Sequence, residues 1–171
     1  SSKKNLDKVR NSNDQIYKDI EYIYHFAGIG DIVPSIDHPL EYMSVNNQGT
    51  AMVCEGARHN SVKKIVYAAS SSCYGLAKIP TNEKADISPQ YPYALSKYLG
   101  ECTVLHWHKV YNLPANIIRI FNAYGTRSKT SGTYGAVFGV FLRQKIAGKP
   151  FTVVGDGSQK RDFLYVSDVA N

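Results

Sequence analysis

Ile65-Val66-Tyr67-Ala68-Ala69-Ser70-Ser71-Ser72-Cys73-Tyr74-Gly75 is the stretch whose reading decides the fold. Its first five residues are nearly all apolar, as expected of a parallel strand covered on both faces. Three hydroxyl residues follow at the point where that strand ends. In open α/β sheets, ligands sit at the carboxyl ends of strands, so these serines stand where chemistry is done. Residues 74–92 form a long connection, and long loops in compact domains are often functional. Residues 93–111 then read as a helix.

Working outward, residues 20–27 are β-prone and end at Gly28, which predicts a strand. Residues 34–39, bounded by prolines, read as a loop. Residues 40–59 carry Val45, Met52, Val53 and Ala57 at helical spacing. On the other side, residues 116–121 read as a strand, and 136–147 as a helix closed by Gly148 and Pro150. Residues 151–154 and 162–166 read as short strands about a Gly155-Asp156-Gly157 turn, with Ser167 as a helix cap. Residues 1–14 are polar and read as a helix end plus loop. Strand and helix alternate without repeats, which predicts a parallel α/β sheet with right-handed crossovers. The segments after about residue 120 are expected to leave that sheet.

Composition bounds the function. The 171 residues suffice for one domain with a core. No apolar run approaches the ~20 residues a membrane-spanning helix needs, and no signal peptide is recognisable. The net charge of +6 comes from scattered basic residues rather than a Lys/Arg block. That speaks against nucleic acid and leaves room for an anionic small molecule. Cys54, Cys73 and Cys102 are odd in number and form no Cys-x-x-Cys. A disulfide scaffold and a zinc site are therefore not expected, and a reducing cytoplasm is.

The residues that carry chemistry are Tyr93-Ala94-Leu95-Ser96-Lys97. Tyr and Lys at i and i+4 share one helix face. A free phenol, with a pKa of about 10, is a poor base at neutral pH. A neighbouring ammonium favours the phenolate, and such a tyrosine can move a proton while a hydride moves. A hydroxyl from the serine run can hydrogen-bond the reacting oxygen. Taken alone, Tyr-x-x-x-Lys is a weak signal, commonly two solvated helix residues. His25, His106, His108 and Cys73 read as packing or surface groups.

These stretches, with others in the same order, resemble the extended short-chain dehydrogenase/reductases, the NAD-dependent epimerase/dehydratase family, and within it the UDP-glucose 4-epimerases. His25-Phe26-Ala27-Gly28 is similar to the family's cofactor-lining strand end, and Asn46-Asn47-Gln48-Gly49-Thr50 to its Asn-x-x-Gly-Thr motif. Residues 69–75 and 91–97 are similar to its serine motif and catalytic helix. Residues 119–125 and 155–163 are similar to its nucleotide-sugar segments.

The resemblance implies a Rossmann-like, doubly wound parallel sheet, incomplete at both ends. Residues 1–120 would be a partial NAD-binding domain lacking its first βαβ unit, and 121–171 the start of the nucleotide-sugar-binding region. It implies Tyr93 as acid/base, Lys97 as the group that holds the nicotinamide ribose and lowers the Tyr93 pKa, and Ser70 as the hydroxyl on the substrate oxygen, with Ser71 a close rival. NAD would be bound by Phe26, Ala27, Gly28, Asn46, Ala68, Ala69, Tyr93, Lys97 and Phe121. The nucleotide sugar would be bound by Ser70, Ser71, Asn122 and Arg161. No metal is expected; a homodimer is left open.

The family's opening Gly-x-x-Gly-x-x-Gly turn is not present, since Val33 stands where Gly28-Ile29-Gly30 would need a third glycine. The chain thus reads as an internal fragment, inactive alone. Three function classes remain. A nucleotide-sugar 4-epimerase, with a UDP-hexose as substrate, is favoured by Ser70-Ser71-Ser72, where dehydratase relatives carry carboxylates. The alternatives are a 4,6-dehydratase or decarboxylase, and a truncated, non-catalytic binding fragment.

Overall fold

The computed structural model describes residues 15–128, 137–153 and 155–171. The helix-end reading of residues 1–14 lies outside them. The chain divides into two compact units, Ser1–Arg119 and Ile120–Asn171.

In the first unit, β1 (Tyr22–His25), β2 (Lys64–Ser70) and β3 (Ala115–Ile120) form a sheet in that order. β1 and β2 are parallel, with Tyr22 opposite Lys64 and His25 opposite Tyr67. The central strand earns its place by composition: Ile65, Tyr67, Ala68, Ala69 and Ser70 are all buried. The Ile65 amide donates to the Pro114 carbonyl at 2.9 Å, starting the contact with β3.

The crossover from β1 to β2 carries α1 (Ile32–Asp37), α2 (Pro39–Tyr42), a π-helical turn at Met43–Gln48, and α3 (Gly49–His59). The loop expected at residues 34–39 is mostly helical. Both prolines fall in first turns, Pro34 in α1 and Pro39 at the start of α2, where a missing N–H breaks no intrahelical bond. The π turn interrupts an otherwise helical run, and such turns occur frequently at functional sites.

From β2 the chain enters a short 3₁₀ turn, Ser71–Tyr74, and after the long loop a 20-residue helix, α4 (Pro92–Tyr111). Pro92 opens α4 and Asn112 ends it in the left-handed conformation, φ 55°, which asparagine tolerates better than most residues. The core beneath α3 and α4 consists of Cys54, Ala57, Val62, Ile65, Tyr67, Ala69, Val104 and Leu113. At Gly100 an added Cβ would stand 2.3 Å from the Tyr67 hydroxyl, so the missing side chain is what lets β2 and α4 meet there.

The second unit holds a separate two-stranded parallel sheet, β4 (Asn122–Tyr124) beside β5 (Phe163–Tyr165), with α5 (Val137–Ile146) and α6 (Val166–Ala170). The departure from the first sheet after about residue 120 is therefore seen. Tyr124, Phe138 and Phe163 pack their rings together, with Tyr124 and Phe163 each 4.8 Å from Phe138 between centroids.

Two expectations fail here. Residues 151–153 form no strand, because the Thr152 amide donates to the Gln144 side chain at 3.2 Å rather than to a ladder; Val154 and Ala136 lie outside the described residues. Ser167 is not the cap of α6, which begins one residue earlier; its hydroxyl lies 3.4 Å from the Asp168 carboxylate instead.

Candidate active site

Two elements carry Ser70, Tyr93 and Lys97: β2 ends at Ser70, and α4 holds the other two. Ser70 is the last residue of β2 and the first of the following turn, where its Oγ accepts from the Ser72 amide at 3.2 Å and donates to Ser72 Oγ at 3.0 Å. Tyr93 and Lys97 lie one turn apart at the start of α4, as their spacing predicts. Of the serine run, Ser70 is the residue that acts on the Tyr93 phenol electrostatically, opposing the rise that burial causes. No residue from Ser70 to Gly75 carries a carboxylate.

A buried polar network fixes this corner. The Asn46 amide donates to the Ile29 carbonyl at 3.0 Å and to Ser96 Oγ at 2.9 Å, while its Oδ1 accepts from the Ile29 amide at 2.8 Å. Ser96 passes its own proton to the Tyr93 carbonyl at 2.8 Å. Thr50 donates to the Asn46 carbonyl at 2.6 Å and shares a hydrogen bond with His25 Nε2 at 2.9 Å. The π turn thus ties the residue 28–30 loop to α4. Sequence reasoning marked Asn46 but missed Ser96; the signal for it was a small polar residue on the Tyr93–Lys97 helix.

Burial shapes the charges. Lys97 is almost fully buried, and among the described residues its ammonium has no carboxylate partner; burial lowers its pKa to about 8. His25 is lowered to about 4, first by burial and then by the Lys97 charge, so it is neutral at pH 7. The Tyr93 phenol is pushed up by burial, with Ser70 opposing and Tyr91 and Asp31 adding to the rise. The acidifying effect expected of Lys97 on Tyr93 is not what this structure has. Desolvation dominates at Tyr93, and the Lys97 ammonium sits 4.6 Å from the centre of the Tyr67 ring.

The remaining predicted positions distribute as follows. Phe26 and Ala27 are exposed just beyond β1, and Ala68 and Ala69 are buried in β2. At Gly28 an added Cβ would lie 2.8 Å from Asn46 Oδ1 and 3.8 Å from Lys97 Nζ. Phe121, Asn122 and Arg161 belong to the second unit. There the Asn122 amide donates to the Asp162 carbonyl at 2.9 Å, which holds Asn122 close in space to the Arg161 end of its loop. Arg161 is exposed.

The chain matches, over residues 5–171, the family model described as NAD dependent epimerase/dehydratase family. It is 35% identical over 153 residues to a UDP-glucose 4-epimerase of Mycolicibacterium smegmatis, covering 88% of this chain and 49% of that protein. It is 32% identical over 169 residues to a UDP-N-acetyl-alpha-D-glucosaminuronate decarboxylase of Bacillus cytotoxicus, covering 95% of this chain and 51% of the relative. Among solved structures, the UDP-N-acetylglucosamine 4-epimerase from Methanobrevibacter ruminantium superimposes with a TM-score of 0.88 at 31% identity, over 91% of this chain and 51% of that one. The chain spans about half the length of the curated relatives it matches. By motif order, by fold and by these matches, the chain belongs to the NAD dependent epimerase/dehydratase family.

Proposed function

We propose that this chain is the catalytic-helix portion of a nucleotide-sugar 4-epimerase acting on a UDP-hexose. The observation that carries the reading is the turn of neutral hydroxyls at the end of β2, Ser70 to Ser72, with no carboxylate from Ser70 to Gly75. Hydroxyls steady an oxygen during proton transfer. They are poor groups for pulling a carbon-bound proton and expelling a hydroxyl, the steps that a dehydratase adds.

NAD, when bound, supplies the hydride acceptor and donor for the sugar carbon. This chain's residues fit such a group. Gly28 leaves open a place where a Cβ would crowd Asn46, and the Lys97 ammonium beside it is buried without an anionic partner among the described residues. Lys97 would hold the cofactor's ribose hydroxyls. Tyr93 would take the proton of the sugar's C4 hydroxyl and later return it, with Ser70 donating to that same oxygen. Asn122 and Arg161 would bind the sugar diphosphate, a task suited to the bidentate guanidinium.

The relatives include named epimerases of UDP-glucose, UDP-glucuronate and UDP-N-acetylglucosamine, which supports a UDP-sugar. They also include a dTDP-glucose 4,6-dehydratase and a decarboxylase. The test is to incubate the full-length protein with UDP-, GDP- and dTDP-hexoses and follow the products by NMR. Inverted C4 stereochemistry with C6 retained is expected; accumulation of a 4-keto-6-deoxy sugar would overturn the reading.

A further inference from the structure

We propose that Tyr67 is a positioning residue for Lys97, gripping the lysine at both ends: its hydroxyl holds the Lys97 backbone carbonyl and its ring face carries the ammonium. The hydroxyl donates to the Lys97 carbonyl at 3.2 Å, and the Lys97 Nζ lies 4.6 Å from the ring centroid. Both contacts come from one fully buried side chain in the middle of β2. The proposal rests on the reading of Lys97 as a functional ammonium.

A buried lysine needs something to favour its charge, or it gives the proton up. Among the described residues no carboxylate does so. Glu101, one turn further along α4, is taken by Arg119. From β1 the ammonium faces His25, which is neutral near pH 7 and repels if charged. From its own helix the neighbour one turn back is Tyr93, a neutral phenol raised by burial. From α3 and the π turn come Thr50 and Asn46, both uncharged and both engaged with other partners. Among the described residues the electron-rich face of Tyr67 is the remaining attractive group, and a ring face attracts a desolvated cation.

Tyr67 is itself held. Its phenol is pushed up by burial and keeps its proton to donate. The His25 ring packs 5.4 Å away, and Gly100 leaves room for the hydroxyl against α4. A leucine or phenylalanine fills a strand core as well; the tyrosine adds a hydroxyl that reaches a helix carbonyl and fixes the ring under the ammonium.

The test keeps the ring's shape and changes only its charge distribution. Phenylalanine and its mono-, di- and trifluoro forms are placed at residue 67 of the protein, and the Lys97 titration is followed by the ¹³Cε shift of labelled lysine. Lys97→Met assigns the signal. The expected result is a stepwise fall of the Lys97 pKa along the fluorination series, totalling roughly 0.5–1 unit. Plain phenylalanine should itself lower the Lys97 pKa relative to tyrosine, since it lacks the hydroxyl that fixes the ring under the ammonium. A Lys97 titration indifferent to fluorination overturns the proposal. Failure of the functional reading shows separately, as undiminished turnover in Lys97→Met, whatever the fluorination series gives.

Discussion

Arg119 and Glu101 meet in a two-point contact, Nε to Oε2 at 3.0 Å and Nη2 to Oε1 at 2.6 Å. Glu101 is buried on α4, one turn beyond Lys97, and Arg119 stands near the end of β3. The same guanidinium donates to the Tyr74 hydroxyl at 2.7 Å and lies 4.9 Å over the Tyr74 ring. It also reaches the Glu83 carbonyl in the long loop at 3.3 Å. One arginine therefore joins the helix of Tyr93, the turn that follows Ser70, and the loop between them. The carboxylate and the phenol raise the Arg119 pKa well above its ordinary value, so the charge is permanent.

Removing one partner leaves the other charge buried, which is costlier than never having built the pair. Arg119→Met, which leaves the buried Glu101 carboxylate unpaired, is expected to lower unfolding stability by about 3 kcal/mol in urea titrations. Arg119→Met combined with Glu101→Ala is expected to cost less than Arg119→Met alone. A double variant as unstable as the two single losses added together would show that the pair does not act as a unit.

His25 gives stability a pH dependence of known sign. Its pKa falls from the ordinary 6.5 in the unfolded chain to about 4 in the folded one, because burial and the Lys97 charge disfavour the imidazolium. Between those values the unfolded state binds the extra proton, so stability rises with pH there and is lost as pH falls from 6.5 toward 4. The expected loss is on the order of 3 kcal/mol if this group acts alone. His25→Gln should flatten that part of the profile. Chemical denaturation at pH 7, 6, 5 and 4 for both proteins measures it; parallel profiles would exclude His25.

Much of this was legible in the sequence, and what was not has two causes. The apolar run 65–69 fixed β2, and the Tyr93–Lys97 spacing fixed one helix face, because both depend on neighbours in the chain. The helices around Pro34 and Pro39 were hidden because a proline pair resembles a loop boundary, while in a first turn proline is a helix residue. The roles of Tyr67, Glu101 and Arg119 were hidden for another reason. Tyr67 meets Lys97 across 30 positions and Arg119 meets Glu101 across 18, and no local periodicity reports such pairs. Likewise, spacing predicted that Lys97 would acidify Tyr93, while burial, a property of the fold, raises the phenol instead.

Gly28 tests the place assigned to the cofactor. A Cβ there would press on Asn46 Oδ1 at 2.8 Å, the atom that accepts from the Ile29 amide. Gly28→Ala is expected to displace this loop and weaken NAD binding to the full-length protein at least tenfold by calorimetry. Its melting temperature should fall by only a few degrees, since a displaced surface loop costs less than an overpacked core. Unchanged NAD affinity would place the cofactor elsewhere.

Tyr93 carries the proposal's chemistry, and its removal separates binding from turnover. Tyr93→Phe deletes one hydroxyl while keeping the ring that meets Tyr42 edge-on, centroids 6.3 Å apart. The packing of α4 on α2 is therefore retained, and so is the backbone carbonyl that receives the Ser96 hydroxyl. What is lost is the group within reach of Ser70 that can exchange a proton with a sugar oxygen. Turnover of the full-length enzyme is expected to fall by ~10²–10⁴, the usual weight of a positioned acid/base. The dissociation constant for the UDP-hexose should change by less than threefold, because a general acid/base acts on the transition state more than on the bound ground state. Steady-state kinetics and calorimetry on the same preparation give both numbers. Near-normal turnover would remove Tyr93 from the mechanism. A large loss of affinity with kcat intact would instead make it a binding residue, and the proton would have to move through another group.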